Sequence, residues 1–212
     1  MAMLPSYSME IFKHAIPGPP MLPVGHDPLP ADLIRNLLSL LARTSESLVG
    51  YYQHADSVAI DQKADRSPVT TADRSAHAEL AQGLAKLTPD ISFLSEESTT
   101  EEIRVRHNWR IGWMVDPLDG TREFLDRTGE FTVNVALIVD QTPVLGFIAQ
   151  PLESRCYLGI PGTGLWCCSG EDFGQLTTLA PSVSPGRNIR MLASQRHSPK
   201  RVAALAKLLT GL

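Results

Sequence analysis

The sequence predicts an α+β protein: N-terminal helices laid on an antiparallel sheet, followed by a second α/β domain that is incomplete. Three observations carry this expectation. Apolar residues recur at helical spacing early in the chain. The middle is a run of β-rich segments separated by glycine and polar turn residues. A fresh strand-then-helix pattern then opens near residue 186.

The elements follow in order. The N-terminus lacks a signal peptide's apolar core and "IPGPPMLPVGHDPLP" (16–30) is too proline-rich for helix or strand, so residues 1–28 are expected to be a disordered extension. Leu33, Leu37, Leu40, Leu41, Leu48 and Tyr51 then predict an amphipathic helix over 31–52. After a polar loop, "SPVTTADRSAHAELAQGLAKLTPD" carries Ala76, Leu80, Leu84 and Leu87 on one face of a second helix, which Pro89 stops. "ISFLSEES" reads as a short buried strand running into Glu96 and Glu97, and "IGWMVDP" repeats that design, ending in Asp116. "FTVNVALIVD" and "PVLGFIAQP" form a hairpin turning at Gln141 and Thr142. "RCYLGI" and "GLWCCSG", with Gly162 and Gly164 between, continue the antiparallel series. "NIRMLAS" (188–194) predicts a strand and 199–209 a helix.

Bulk properties exclude several classes. A formal net charge of −4 argues against a general nucleic-acid binder, which would carry a basic stripe. It leaves room for a small anionic substrate, because a metal ion can supply positive charge. Cys156, Cys167 and Cys168 make neither a disulfide framework nor a zinc spacing, and read as buried or strand-alternating thiols. A reducing cytoplasm fits them, with peripheral attachment to an inner membrane as the variant. No stretch approaches the ~18 consecutive apolar residues of a membrane helix.

The chemistry centres on "VDPLDGTREF" (115–124). Pro117 and the Asp119–Gly120 pair are ordinary turn residues, so a plain β-turn is one reading. The other starts from two strands that both end in carboxylates, Glu96 on one and Asp116 with Asp119 on the other. Two unit charges about 4 Å apart cost about 4 kcal/mol at an effective dielectric near 20, and a cation offsets that. Oxygen-only ligands favour a hard ion such as magnesium. Leu118 can offer its carbonyl, Gly120 lets backbone approach a phosphate, and Thr121 can cap a short following helix whose N–H groups suit an anion. Carboxylates beside an anion hole read as phosphate-ester hydrolysis.

Together, "SPVTTADRSAH", "LSEES", "VDPLDGTREF" and "GEFTVNVALI" resemble the inositol monophosphatase superfamily, colinearly from about residue 31 onward. "TREF" resembles the Thr-Lys-Glu-Phe of its 3′(2′),5′-bisphosphate nucleotidase branch rather than the Thr-Thr-Asn-Phe of inositol monophosphatases. The resemblance implies the α/β/α/β layers of the sugar-phosphatase-like fold and a lithium-sensitive, magnesium-dependent phosphatase. It implies Glu96, Asp116, the Leu118 carbonyl and Asp119 as metal ligands, with Glu96 bridging to the attacking water. Gly120 and Thr121 would hold the scissile phosphate beside Glu96, Leu118 and Asp119. Thr121 would orient the water, and Asp73 would lie near it as base or orienter, or serve simply as a helix N-cap. The reaction implied is removal of the 3′-phosphate of adenosine 3′,5′-bisphosphate.

Other residues carry less. The basic run 104–110 reads as a solvated face, His77 as a surface helix histidine, His197 as a weak substrate contact, and Arg122 as a lysine substitute with altered geometry. The family's Trp-Asp-x-x-Ala motif has no counterpart, since Trp109, Trp113 and Trp166 are followed by Arg110, Met114 and Cys167. The domain expectation is therefore a metal-binding phosphatase domain over 29–185 and the start of a truncated second domain over 186–212, prone to self-association. Two functions follow from it: a nucleotidase impaired by truncation, or a non-catalytic remnant binding a ligand or partner, with an inositol-phosphate phosphatase as the substrate variant.

Overall fold

The computed structural model describes residues 31–54, 59–62 and 68–180, together with Ala203, Ala204 and Lys207. Helix α1 (Ala31–Gln53) buries Ile34, Leu37, Leu38, Leu41 and Leu48, one residue longer than expected. Strand β1 (Ile60–Gln62) pairs antiparallel with β2 (Pro68–Thr70), a small sheet that was not anticipated. Helix α2 (Thr71–Leu87) starts only after it and buries Ala76, Leu80 and Leu84.

Thr70 caps α2. Its hydroxyl accepts from the Ala72 and Asp73 N–H groups, while the Asp73 carboxylate accepts from the Thr70 N–H at 2.8 Å, a reciprocal capping box. Asp73 is thus the third residue of the helix rather than its cap.

Seven strands form one sheet in chain order: β3 (Ser92–Ser95), β4 (Ile111–Asp119), β5 (Thr132–Val139), β6 (Thr142–Gln150), β7 (Arg155–Ile160), β8 (Gly164–Ser169) and β9 (Gln175–Thr178). From β4 onward every pairing is antiparallel, as expected, but β3 runs parallel to β4. The sheet is therefore mixed. Parallel neighbours need a crossover, and residues 96–110 supply it through helix α3 (Thr100–Val105) and a 3-10 turn at Arg106–Asn108. Thr99 and Glu102 form a second capping box there, a Thr-x-x-Glu signal present in the sequence and missed in reading it as loop. β9 was also missed. The β5–β6 hairpin turns at Asp140 and Gln141, both at positive φ (47° and 64°), as a two-residue primed turn demands; Thr142 already belongs to β6.

Alternation along β5 sets the two faces of the sheet. Val133, Val135, Leu137 and Val139 are buried in the core shared with α1 and α2, while Thr132, Asn134, Ala136 and Ile138 point the other way. That second face is open among the described residues: Met114 is 53%, Ile148 50% and Leu165 42% exposed. β3 is half-buried rather than buried.

Cys156 and Cys168 oppose each other across β7 and β8, both buried, and Cys167 alternates to the other face. Burial raises the Cys156 thiol pKa and pushes that of Cys168 up to about 12, so these are packed thiols rather than nucleophiles. No helix among the described residues is long and apolar enough to cross a membrane. The chain divides into two compact units, residues 1–180 and 181–212. In the second, Ala203, Ala204 and Lys207 are helical and exposed. The rest of the expected strand 188–194 and helix 199–209, His197, and the extension 1–28 lie outside the described residues.

Candidate active site

The 115–124 motif is not a plain turn. β4 runs straight through it to Asp119, and its register against β5 slips inside it: Asp116 pairs with Asn134, but Asp119 pairs with Thr132. Between these pairs two residues of β4, Pro117 and Leu118, oppose one of β5, Val133, a β-bulge. The slip explains the spacing. In a regular strand, residues three apart face opposite sides of the sheet; one extra residue returns Asp119 to the same open face as Asp116. Leu118 stays buried beneath them.

The parallel β3–β4 pairing brings the third carboxylate. Ser95 sits in register with Val115, and the Glu96 N–H donates to the Val115 carbonyl at 3.1 Å, so the next residue of each strand, Glu96 and Asp116, emerge side by side. Burial pushes the Asp116 carboxyl from its ordinary 3.8 up to about 7, with the charges of Glu96 and Asp119 and a hydrogen bond to Glu96 adding to it. Asp116 therefore keeps its proton well above the pH at which a free carboxyl loses it.

Beyond Asp119 the chain turns on Gly120 at φ +94°, and Thr121 opens helix α4 (Thr121–Leu125). A Cβ on Gly120 would lie 2.7 Å from the Glu130 carbonyl oxygen, so glycine is required both for the left-handed turn and for packing against the start of β5. This local reason differs from the phosphate approach expected of it. Thr121 does not cap α4, because Gly120 holds that position. Its hydroxyl lies 2.9 Å from Asp73 Oδ1 and 3.2 Å from the Leu118 carbonyl, both acceptors. The Asp73 contact joins the start of α2 to the end of β4.

Asp73 is 2% exposed, and both its oxygens are engaged: Oδ2 by the Thr70 N–H and hydroxyl (2.6 Å), Oδ1 by Thr121. A carboxylate so fully engaged orients the Thr121 hydroxyl, and little acceptor capacity remains on it for a proton from water.

One residue of the site was not anticipated. Asn134 on β5 donates from Nδ2 to Asp119 Oδ2 at 3.0 Å. The available signal was alternation: Asn134 is a lone amide between the buried Val133 and Val135, hence on the opposite face. Glu96, Asp116 and Asn134 line one end of a cavity of about 810 Å³, whose other walls include Met114, Ile148 and Arg106. Arg106 of the basic run lies on that wall, while Arg104 pairs with Glu101 and Arg110 with Asp140 on exposed surface. His77 is half-buried rather than a surface histidine, its ring edge-on to Phe93 at 5.5 Å. Arg122 is exposed on α4.

The donor set suits a hard cation in kind, being wholly oxygen, with the Asp116 carboxyl raised by burial and by its acidic neighbours. Among the described residues, no three His, Cys, Asp or Glu side chains close on a common point.

Fold and site together define a class: an α+β domain that gathers acidic side chains at the ends of parallel and bulged strands, beside a glycine-initiated helical turn. The chain belongs to the inositol monophosphatase family, whose profile matches residues 31–211. It is 42% identical over 130 residues to the 3′(2′),5′-bisphosphate nucleotidase CysQ of Escherichia coli O157:H7, covering 61% of this chain and 52% of that protein. To the CysQ of Haemophilus influenzae it is 35% identical over 173 residues, covering 82% and 63%. Among solved structures, CysQ from Bacteroides thetaiotaomicron superposes with a TM-score of 0.57 at 29% identity, over 84% of this chain and 68% of that one. The α+β layering expected from the sequence is that of this family. The chain spans about half the length of most of these curated relatives.

Proposed function

We propose that this protein is a magnesium-dependent phosphomonoesterase that removes the 3′-phosphate of adenosine 3′,5′-bisphosphate, releasing AMP and phosphate. The observation that carries the reading is the Asp73–Thr121 hydrogen bond, which fixes a hydroxyl beside the Leu118 carbonyl and the carboxylate-bearing end of β4. Likeness to the CysQ nucleotidases supports the substrate.

Glu96, Asp116, Asp119 and the Leu118 carbonyl would hold the ion. When bound, magnesium supplies positive charge to the phosphate oxygens and acidity to water. The chain's residues do the rest. Thr121, its proton directed to Asp73, accepts a hydrogen bond from the attacking water and aims its lone pair at phosphorus. Glu96, exposed at the mouth of the cavity, takes the water's proton. Backbone N–H groups of Gly120 and Thr121 hold the phosphate oxygens in line, and Asp119 completes the oxygen cluster around the ester.

The test is phosphate release from adenosine 3′,5′-bisphosphate, inositol 1-phosphate and fructose 1,6-bisphosphate, with and without magnesium. Magnesium-dependent release fastest from the nucleotide is expected; faster release from inositol 1-phosphate would move the protein to another branch of the family. One observation favours a second reading, a non-catalytic relative that binds a phosphate ligand or partner: among the described residues no three His, Cys, Asp or Glu side chains close on a common point. Nucleotide binding without turnover at saturating magnesium would establish it.

A further inference from the structure

Asp119 is exposed and follows a bulge, so neither packing nor regular strand geometry holds its carboxylate. Asn134 holds it. Three facts make this a constrained contact. Asn134 sits on β5, flanked by strands on both sides, with its neighbours Val133 and Val135 buried in the core. Its amide cannot turn over without loss, because Oδ1 accepts from the Thr132 hydroxyl at 3.2 Å while Nδ2 donates to Asp119 Oδ2 at 3.0 Å. Thr132 and Asn134 are also the β5 partners of Asp119 and Asp116, so the slipped register itself delivers the donor to the slipped carboxylate.

We infer that Asn134, backed by Thr132, is a positioning residue for the cation site. It ties Oδ2 of Asp119 and leaves Oδ1 directed outward as a single-oxygen ligand. The amide suits the task chemically. It donates to a carboxylate without adding a negative charge beside the acidic side chains, and it carries no positive charge to compete with a cation. A serine would be too short to reach across the pair, and an aspartate would face Asp119 with a second acceptor. The inference rests on the metal-dependent reading above, and its test separates the two.

Magnesium or manganese affinity is measured by calorimetric titration of wild type, Asn134→Ala, Asp119→Asn and the double variant, with melting temperatures taken on each. Removing a group that orients a ligand costs about tenfold or more in metal affinity. Asn134→Ala should show that loss alone and less than about twofold in the Asp119→Asn background, since its effect passes through Asp119. Asn134→Asp, which keeps the shape and loses the donor, serves if Asn134→Ala does not fold and should weaken binding likewise. Equal losses in both backgrounds would mean a general packing role and overturn the assignment, as would unchanged affinity in Asn134→Ala where Asp119→Asn is weakened. Wild type without measurable affinity would remove the metal-dependent reading and this inference with it.

Discussion

The carboxylate pair makes a prediction that runs against intuition: replacing a residue proposed as a metal ligand should stabilise the protein. Asp116 titrates near 7 in the folded chain against an ordinary 3.8. Between those values the folded state holds a proton that the unfolded state has released, so stability falls as pH rises from about 4 to about 7 and is level above. Each pKa unit corresponds to about 1.4 kcal/mol, giving an upper bound of about 4 kcal/mol. Asp116 is only partly buried, and water screens part of the repulsion, so we expect about half of that, roughly 2 kcal/mol. Asp116→Asn cannot ionise and keeps a donor for Glu96. In a chelator at pH 8 it should therefore melt about 4–8 °C above wild type, at 2–4 °C per kcal/mol for a chain of this size. At pH 4.5 the two should nearly coincide. Magnesium should reverse the order at pH 8, raising the wild type by mass action and leaving the variant where it was. Calorimetric melting across pH 4.5–8, with chelator and with magnesium, reads all three arms. A wild type whose melting temperature does not fall between pH 4.5 and 7, or a variant no more stable at pH 8 without metal, would refute this account of Asp116.

Three further outcomes are expected. Gly120→Ala forces a Cβ into a left-handed turn 2.7 Å from a backbone oxygen, so it should cost at least about 2 kcal/mol and lower the melting temperature by several degrees. Thr121→Val removes the hydroxyl held by Asp73 and should lower kcat on adenosine 3′,5′-bisphosphate by about a hundredfold or more while KM changes little, whereas Thr121→Ser should recover most of the rate; a Val variant with near-normal kcat would end the assigned role. Met114, Ile148 and Leu165 stand exposed on the open face of the sheet, and Ile148→Lys should reduce the mass measured by light scattering without lowering the melting temperature; unchanged scattering would mean that this face does not drive self-association.

How far the sequence reaches is clearest at this site. Amphipathic periodicity located α1 and the buried stripe of α2 because one apolar face decides where a helix sits. β-rich composition, broken by glycine and polar turn residues, located β4 to β8. What failed depended on partners distant in sequence. Nothing local in 91–95 says that β3 pairs in parallel with β4, yet that pairing is what sets Glu96 beside Asp116. Asp119 three residues from Asp116 suggested a turn, since in an unbroken strand the two could not share a face; the bulge is written in the register with β5. Asn134 was passed over because it lay inside a run read only as β-rich, with nothing to say what lay across from it. Thr121 and Asp73 were paired only by resemblance, and the capping box accounts for why the pairing holds: the same carboxylate that closes the start of α2 with one oxygen has the other free for a hydroxyl on α4. A residue that both folds a helix and aims a side chain is hard to replace. Asp73→Asn would surrender charge-assisted bonds at both ends, so stability and turnover should fall together, while Thr121→Val should lower turnover and leave the helix start intact.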